Sequence, residues 1–220
     1  MSIPSIPRYG KLSFDSLGIN KPSSSGTTTT YTIANNTDDG STVSNSTFSS
    51  NVQFNGSLSN SSNSGVNIGA QDDEGEIQYF VGYFRFTNVA IDQGATVQSA
   101  ILKPIKKSSS GSASKDFEIA GRDVNNAGVP SSASTLGSNR TTARVTLPKS
   151  TVFDTTNGNR FDTPDIKTII QEIVNRAGWS SGNSIVLVLY TPTQDTGSPI
   201  KATLGSKAGT DQSAQLEITV

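Results

Sequence analysis

Four carboxylic side chains fall within one short stretch, Asp72-Asp73-Glu74-Gly75-Glu76. A pair of carboxyls, one protonated and one ionised, is what glycoside hydrolysis uses. A charged, glycine-containing run more often folds as a solvated loop, and that is how we read this one. Composition removes most other chemistry. The chain has no His and no Cys. The commonest general base and metal ligand are therefore missing, along with every thiolate reaction. A Ser nucleophile would need Lys or a carboxylate as its base. The chain is expected not to be an enzyme.

Binding chemistry is left. Asp123-Val-Asn125-Asn-Ala-Gly128 opens like a calcium loop, with ligand types at its first and third positions and Gly at its sixth. Ala127 at the fifth position and Ser134 at the twelfth remove the bidentate carboxylate that an EF-hand needs. Sugar recognition needs aromatic faces that stack on a pyranose ring. Trp179 is the sole Trp, and its place at a helix end favours a core role. Tyr79, Tyr83 and Tyr190 are the stronger candidates for a glycan-stacking or partner-facing surface. A formal net charge of −1 argues against nucleic acid as a partner. No apolar run is long enough to span a bilayer. The opening residues lack the apolar region of a signal peptide, so export by the protein's own sequence is not expected.

The elements that must hold these residues read as β, with one exception. Ile166, Ile169, Ile170, Ile173 and Val174 recur at the spacing of one buried helical face. Thr163 suits an N-cap, Pro164 the first helical position, and Asp165 the positive end of the dipole. Gly178 is placed to stop the helix. A single α-helix over about 164–177 is expected. Ile185 to Tyr190 reads as a strand buried on both faces. Ile77 to Ile91 is the strongest strand region, with Phe80, Gly82, Phe84 and Phe86 on one face and Tyr79, Val81, Tyr83 and Arg85 on the other. Both faces are largely apolar, so one covers the core and the other meets more protein. Val97 to Ile105 is a strand in which Pro104 marks an edge or bulge. Lys106-Lys107-Ser-Ser-Ser-Gly111 reads as a loop tip. Further strands are expected at Asp116–Gly121, Thr142–Leu147, Ile200–Leu204 and Gln215–Val220. Many short strands with turns between them indicate an antiparallel sandwich over residues 30–220.

Residues 1–29 form a separate piece, an extended N-terminal arm and linker. Ile3-Pro4 and Ile6-Pro7 favour polyproline-like backbone. Ile3, Ile6, Tyr9, Leu12, Phe14, Leu17 and Ile19 make the arm too apolar for an idle tail, and Lys21-Pro-Ser-Ser-Ser-Gly26 reads as a linker. Arg8, Lys11 and Lys21 against Asp15 make it mildly basic, which suits an acidic protein surface.

Three stretches carry a resemblance: Phe84-Arg-Phe-Thr-Asn-Val89, Ile91-Asp-Gln-Gly-Ala-Thr-Val-Gln-Ser-Ala100 and Ile170-Gln-Glu-Ile-Val-Asn-Arg-Ala-Gly-Trp-Ser-Ser-Gly-Asn183. Together they resemble a jelly-roll β-sandwich module of large secreted and surface proteins of bacteria, a relative of carbohydrate-binding modules. Asp92 and Ala177 stand where that pattern carries proline. The resemblance covers roughly residues 30–220 and implies a fold more than an activity. Such modules often carry a calcium ion, which here would fall to loop acids such as Asp38, Asp39 and Asp72. No other cofactor is implied.

A module standing alone behind an apolar arm, without an export signal, looks like a tailed-bacteriophage virion protein released by lysis. The expected role is capsid decoration (cement), or a small tail or fibre protein. Decoration is favoured because no shaft-like repeat is present. The partners would be other virion proteins and further copies of the chain in a homo-oligomer. The alternative is a lectin-like module recognising cell-surface glycan through Tyr79, Tyr83, Tyr190 or Trp179.

Overall fold

The computed structural model describes residues 26–45, 54, 56–59, 65–111, 115–192, 199–209 and 212–220. The fold is all-β, with short helices at its margins. In chain order the strands are β1 (Thr28–Thr32), β2 (Asp39–Asn45), β3 (Ser57–Ser59), β4 (Val66–Asp73), β5 (Glu76–Phe86) and β6 (Ser99–Lys103), then β7 (Lys106–Ser110), β8 (Phe117–Gly121), β9 (Val145–Leu147), β10 (Ile185–Tyr190), β11 (Lys201–Leu204) and β12 (Gln215–Thr219). The helices are α1 (Ala133–Gly137), α2 (Lys149–Phe153) and α3 (Lys167–Val174). A small sheet has the order β1-β12-β6, and a large one β7-β11-β4-β5-β10-β8-β9, with β2 on β5 and β3 on β2. The pairings are antiparallel. Among the described residues no helix is long and apolar enough to cross a membrane.

β5 organises the large sheet. β2 runs along one edge of it, from Phe84 to Gln78. Its other edge is divided between two strands: β4 takes Glu76 to Phe80, and β10 takes Gly82 to Phe86. The division falls at Gly82. A Cβ there would sit 2.6 Å from a methyl of Ile68 and 2.7 Å from one of Val66, so the residue must be Gly for β4 to peel away across it. Pro104 makes a second break. Having no N–H, it ends β6, which pairs with β12, and the chain resumes as β7, which pairs with β11. One path therefore joins the two sheets. Lys106 to Ser110, expected as a loop tip, is this second strand. Lys106 is buried, and its Nζ donates to the carbonyls of Phe153 (2.7 Å) and Thr155 (2.8 Å) at the end of α2.

The main core lies between the sheets. Tyr31, Ala100, Leu102, Leu216 and Ile218 from the small sheet meet Val66, Ile68, Phe84, Phe86, Phe117, Ile119, Leu187 and Leu204 from the large one. β10 is buried throughout, as its unbroken apolar run predicts. α3 lays Ile169, Ile170, Ile173 and Val174 into this core. A Cβ on Gly121 of β8 would touch Ile173 and Ile169 within 2.8 Å, so the missing side chain lets the helix approach.

Several expectations are corrected. The helix is shorter than 164–177 and is not alone, since α1 and α2 accompany it. Thr163 does not cap it, whereas Asp165 stands at its first N–H group, the positive end of the dipole, as expected. The Thr163 hydroxyl accepts from the Leu102 N–H at 3.1 Å. The Asp165 carboxylate accepts from the N–H groups of Ala100 and Lys167, each at 2.9 Å. These oxygens fasten the chain to β6, and the helix begins beyond them. Gly178 serves close approach instead of a left-handed stop: a Cβ there would lie 2.1 Å from the Asn125 amide. The predicted strand at 142–147 shortens to β9. Thr28 and Thr29, assigned to the arm, belong to β1 and face Thr219 and Ile218. Ile3, Ile6, Tyr9, Leu12, Phe14, Leu17 and Ile19 lie outside the described residues.

Candidate functional site

The acidic stretch forms the tip of the β4–β5 hairpin. Glu74 and Gly75 both have positive φ, 55° and 91°, as a two-residue mirror-image turn requires. The Asp72 carboxylate accepts from the Gly75 N–H at 2.8 Å, and the Asp73 carboxylate from the Gln78 side chain at 2.7 Å. Asp72, Asp73, Glu74 and Glu76 are exposed. The acids that chemistry would want in a cleft are spent on a turn at a solvated tip.

Asp38 and Asp39 lie elsewhere. In register, Asp39 faces Phe84 and Asp72 faces Ile77 on the same strand. Seven residues at 3.3 Å each separate those positions by roughly 23 Å, so the three acids cannot share one calcium ion. Among the described residues no group of three metal-ligating side chains is placed to hold a metal. Each acid has other work. Asp38 is wholly buried, with one oxygen 2.6 Å from the Arg85 guanidinium. Its other oxygen accepts from the backbone and side-chain N–H groups of Asn35, each at 3.0 Å. Arg85 also donates to the Ala127 carbonyl (2.7 Å) and to the Ser184 hydroxyl (3.2 Å). One ion pair thus ties three loops to β5. Asp39 accepts from the Lys207 N–H at 2.8 Å. Burial, with the Asp38 charge beside it, outweighs that bond and pushes its carboxyl up to about 6.

Asp123 and Asn125, the start of the apparent calcium loop, both receive Arg176 from the end of α3. Its guanidinium bonds the Asp123 carboxylate and, at 2.8 Å, the Asn125 side-chain oxygen. The loop carries its own cation, and the side chain is a protein one.

The expected aromatic surface is not at the surface. Tyr79, Tyr83 and Tyr190 are 1%, 0% and 4% exposed, so none offers a ring face to a sugar. Their strand parity is as predicted, but the protein that this face meets is the chain itself. Phe54, Ala127 and Leu136 close over Val81, Tyr83, Val186, Val188 and Tyr190 to make a second core. Phe54 meets Tyr190 edge to face at 5.5 Å. Tyr83 donates to the Thr37 carbonyl at 3.1 Å. The Tyr190 hydroxyl donates to Glu118, and burial followed by that bond pushes its pKa up to about 12. Trp179 is buried too, its indole N–H donating to the Ile91 carbonyl at 2.8 Å.

At the rim of this second core the structure gathers cations that sequence reading passes over. The Arg140 guanidinium lies 4.3 Å from the Phe54 ring centre and 5.0 Å from that of Tyr190. Arg144 pairs with Glu118 at 3.5 Å. Arg122 and Arg140 face each other in an antiparallel bridge. The parity of Glu118 and Ala120 in β8, continued to Arg122 just beyond it, was the available signal for Arg122. Nothing local announces Arg140. No family model and no curated protein matches this chain.

Proposed function

We propose that the chain is a non-enzymatic bacteriophage virion protein, a jelly-roll sandwich that decorates the capsid and is anchored by its apolar N-terminal arm. The observation that carries this reading is the join between arm and domain. The arm sequence runs into β1, the outer strand of the small sheet, where the Thr27 N–H bonds the Val220 carbonyl at 2.9 Å. β1 is an edge strand, so the arm sequence joins the domain at the rim of the sandwich. The described surface supplies little other adhesive area, since Val129 is the one large hydrophobic side chain exposed among the described residues. The ion pairs Asp38–Arg85 and Asp123–Arg176 are internal ties that fasten loops to the domain. The strand pairing supports the jelly roll: β1 with β12, β4 with β11 and β5 with β10 are the nested partners that rolling up one long hairpin produces.

The lectin-like alternative loses its stacking residues, because Tyr79, Tyr83, Tyr190 and Trp179 are all buried. Mass spectrometry and antibody labelling of purified particles test the virion reading. The protein is expected at many copies per particle on the capsid shell. Its absence from purified particles sinks the reading, and label confined to the tail moves it to the tail or fibre role.

A further inference from the structure

We propose that Arg122 and Arg140 form a binding site for one phosphate-like oxyanion on the outer face of the large sheet. The backbone places the two side chains together. The Asp123 N–H bonds the Asn139 carbonyl, and the Thr141 N–H bonds the Gly121 carbonyl. These bonds flank the Arg122–Arg140 bridge, which makes it a non-hydrogen-bonded antiparallel pair. Such pairs bring the Cα atoms to about 4.5 Å and point both side chains to one face. Two like charges directly opposite each other are destabilising unless something lies between them.

Among the described residues nothing fills that role. Neither guanidinium makes an ion pair or a side-chain hydrogen bond to another residue among the described interactions. The Arg122 Nε is shielded from solvent and has no acceptor, and burial lowers the pKa of this side chain. The nearby acids are engaged: Glu118 by Arg144 and Tyr190, and Asp123 by Arg176. Arg140 is held down on the rings of Phe54 and Tyr190, so its fork is fixed before any ligand arrives. One guanidinium fixed on its rings and a second directly opposite it on the backbone ladder, with total charge +2, match a tetrahedral dianion. The contacting rings are buried, so the site recognises the charged group and not a sugar face. This inference is independent of the virion reading.

The test uses the full chain with inorganic phosphate as probe, near pH 8.5, where both inorganic phosphate and its monoesters carry close to two charges. Calorimetry and thermal unfolding are run against chloride at matched ionic strength. We expect saturable phosphate binding and a rise in melting temperature that chloride does not produce. Arg122→Gln and Arg140→Gln should each weaken binding about tenfold or more. Arg122→Gln should also melt no lower than the parent in chloride, because it relieves the repulsion; this separates a lost site from a lost fold. Methyl phosphate as a second probe distinguishes the sources: equal binding assigns the site to a phosphoryl ester on a larger molecule, and much weaker binding assigns it to the free ion. Equal effects of phosphate and chloride, or phosphate binding that survives both substitutions, overturn the proposal.

Discussion

Asp39 should make the domain less stable as pH rises from about 4 to 6, and Asp39→Asn should abolish that loss. The carboxyl is 2% exposed, and its folded pKa is about 6 against a reference of 3.8. A raised carboxyl pKa means that the native state keeps its proton after the unfolded chain has released it. The stability linked to that proton is complete below pH 3.8 and is lost as pH climbs through 6. A gap of about two units at 1.36 kcal/mol each gives roughly 3 kcal/mol. Asn retains an oxygen to accept from the Lys207 N–H and carries no charge to desolvate. Urea unfolding of parent and variant at pH 4, 5, 6 and 7 isolates the effect as a difference, since other groups titrate alike in both. The variant should gain on the parent by roughly 2–3 kcal/mol from pH 4 to 7, most of it below pH 6, and level off only above about pH 7. A difference that stays constant across the series refutes the argument, as does one that grows toward acid.

Other perturbations follow from the same geometry. Asp38→Ala strands the Arg85 guanidinium and both Asn35 donors, and should cost about 3–5 kcal/mol in urea unfolding; a cost under 1 kcal/mol would show that the pair is not the clamp described. Gly82→Ala forces a methyl against Ile68 and Val66 and should lower stability by about 1–3 kcal/mol, whereas Gly94→Ala, with open space around its Cβ position, should cost only its backbone strain at φ 71°. Removal of residues 1–25, which spares all of β1, should leave the melting temperature nearly unchanged and abolish particle binding. A truncated chain that fails to fold would place the arm in the sandwich core.

What could be read from the chain divides by the range of the interactions. The stripe from Ile166 to Val174 and the run from Ile185 to Tyr190 are local patterns, and both were legible. The ends of α3 were not, because Thr163 and Asp165 give their oxygens to Leu102 and Ala100, some sixty residues earlier. The alternation of Tyr79, Val81 and Tyr83 was legible as a second apolar face. Its cover was not, because nothing local ties Phe54, Ala127 and Leu136 to that face. Asp38 beside Asp39 reads as an acidic loop until Arg85, 47 positions away, is seen to neutralise one of them. Long-range pairing of charges leaves no periodic trace.

The pairing of β1 with β12 has a consequence for the order in which the domain is made. Thr28 and Thr219 are 191 positions apart, and at about 5–20 residues per second a ribosome needs roughly 10–40 s to deliver the second after the first. Throughout that interval β1 has no partner in its own sheet, and Leu102 waits on β6 without Leu216 beside it. Such distant contacts slow folding, because loop closure precedes the gain from pairing. β1 is suited to the wait. Four of its five residues are Thr, which favours extended backbone yet presents hydroxyls, so the strand can stand unpaired in water with little to attract another nascent chain.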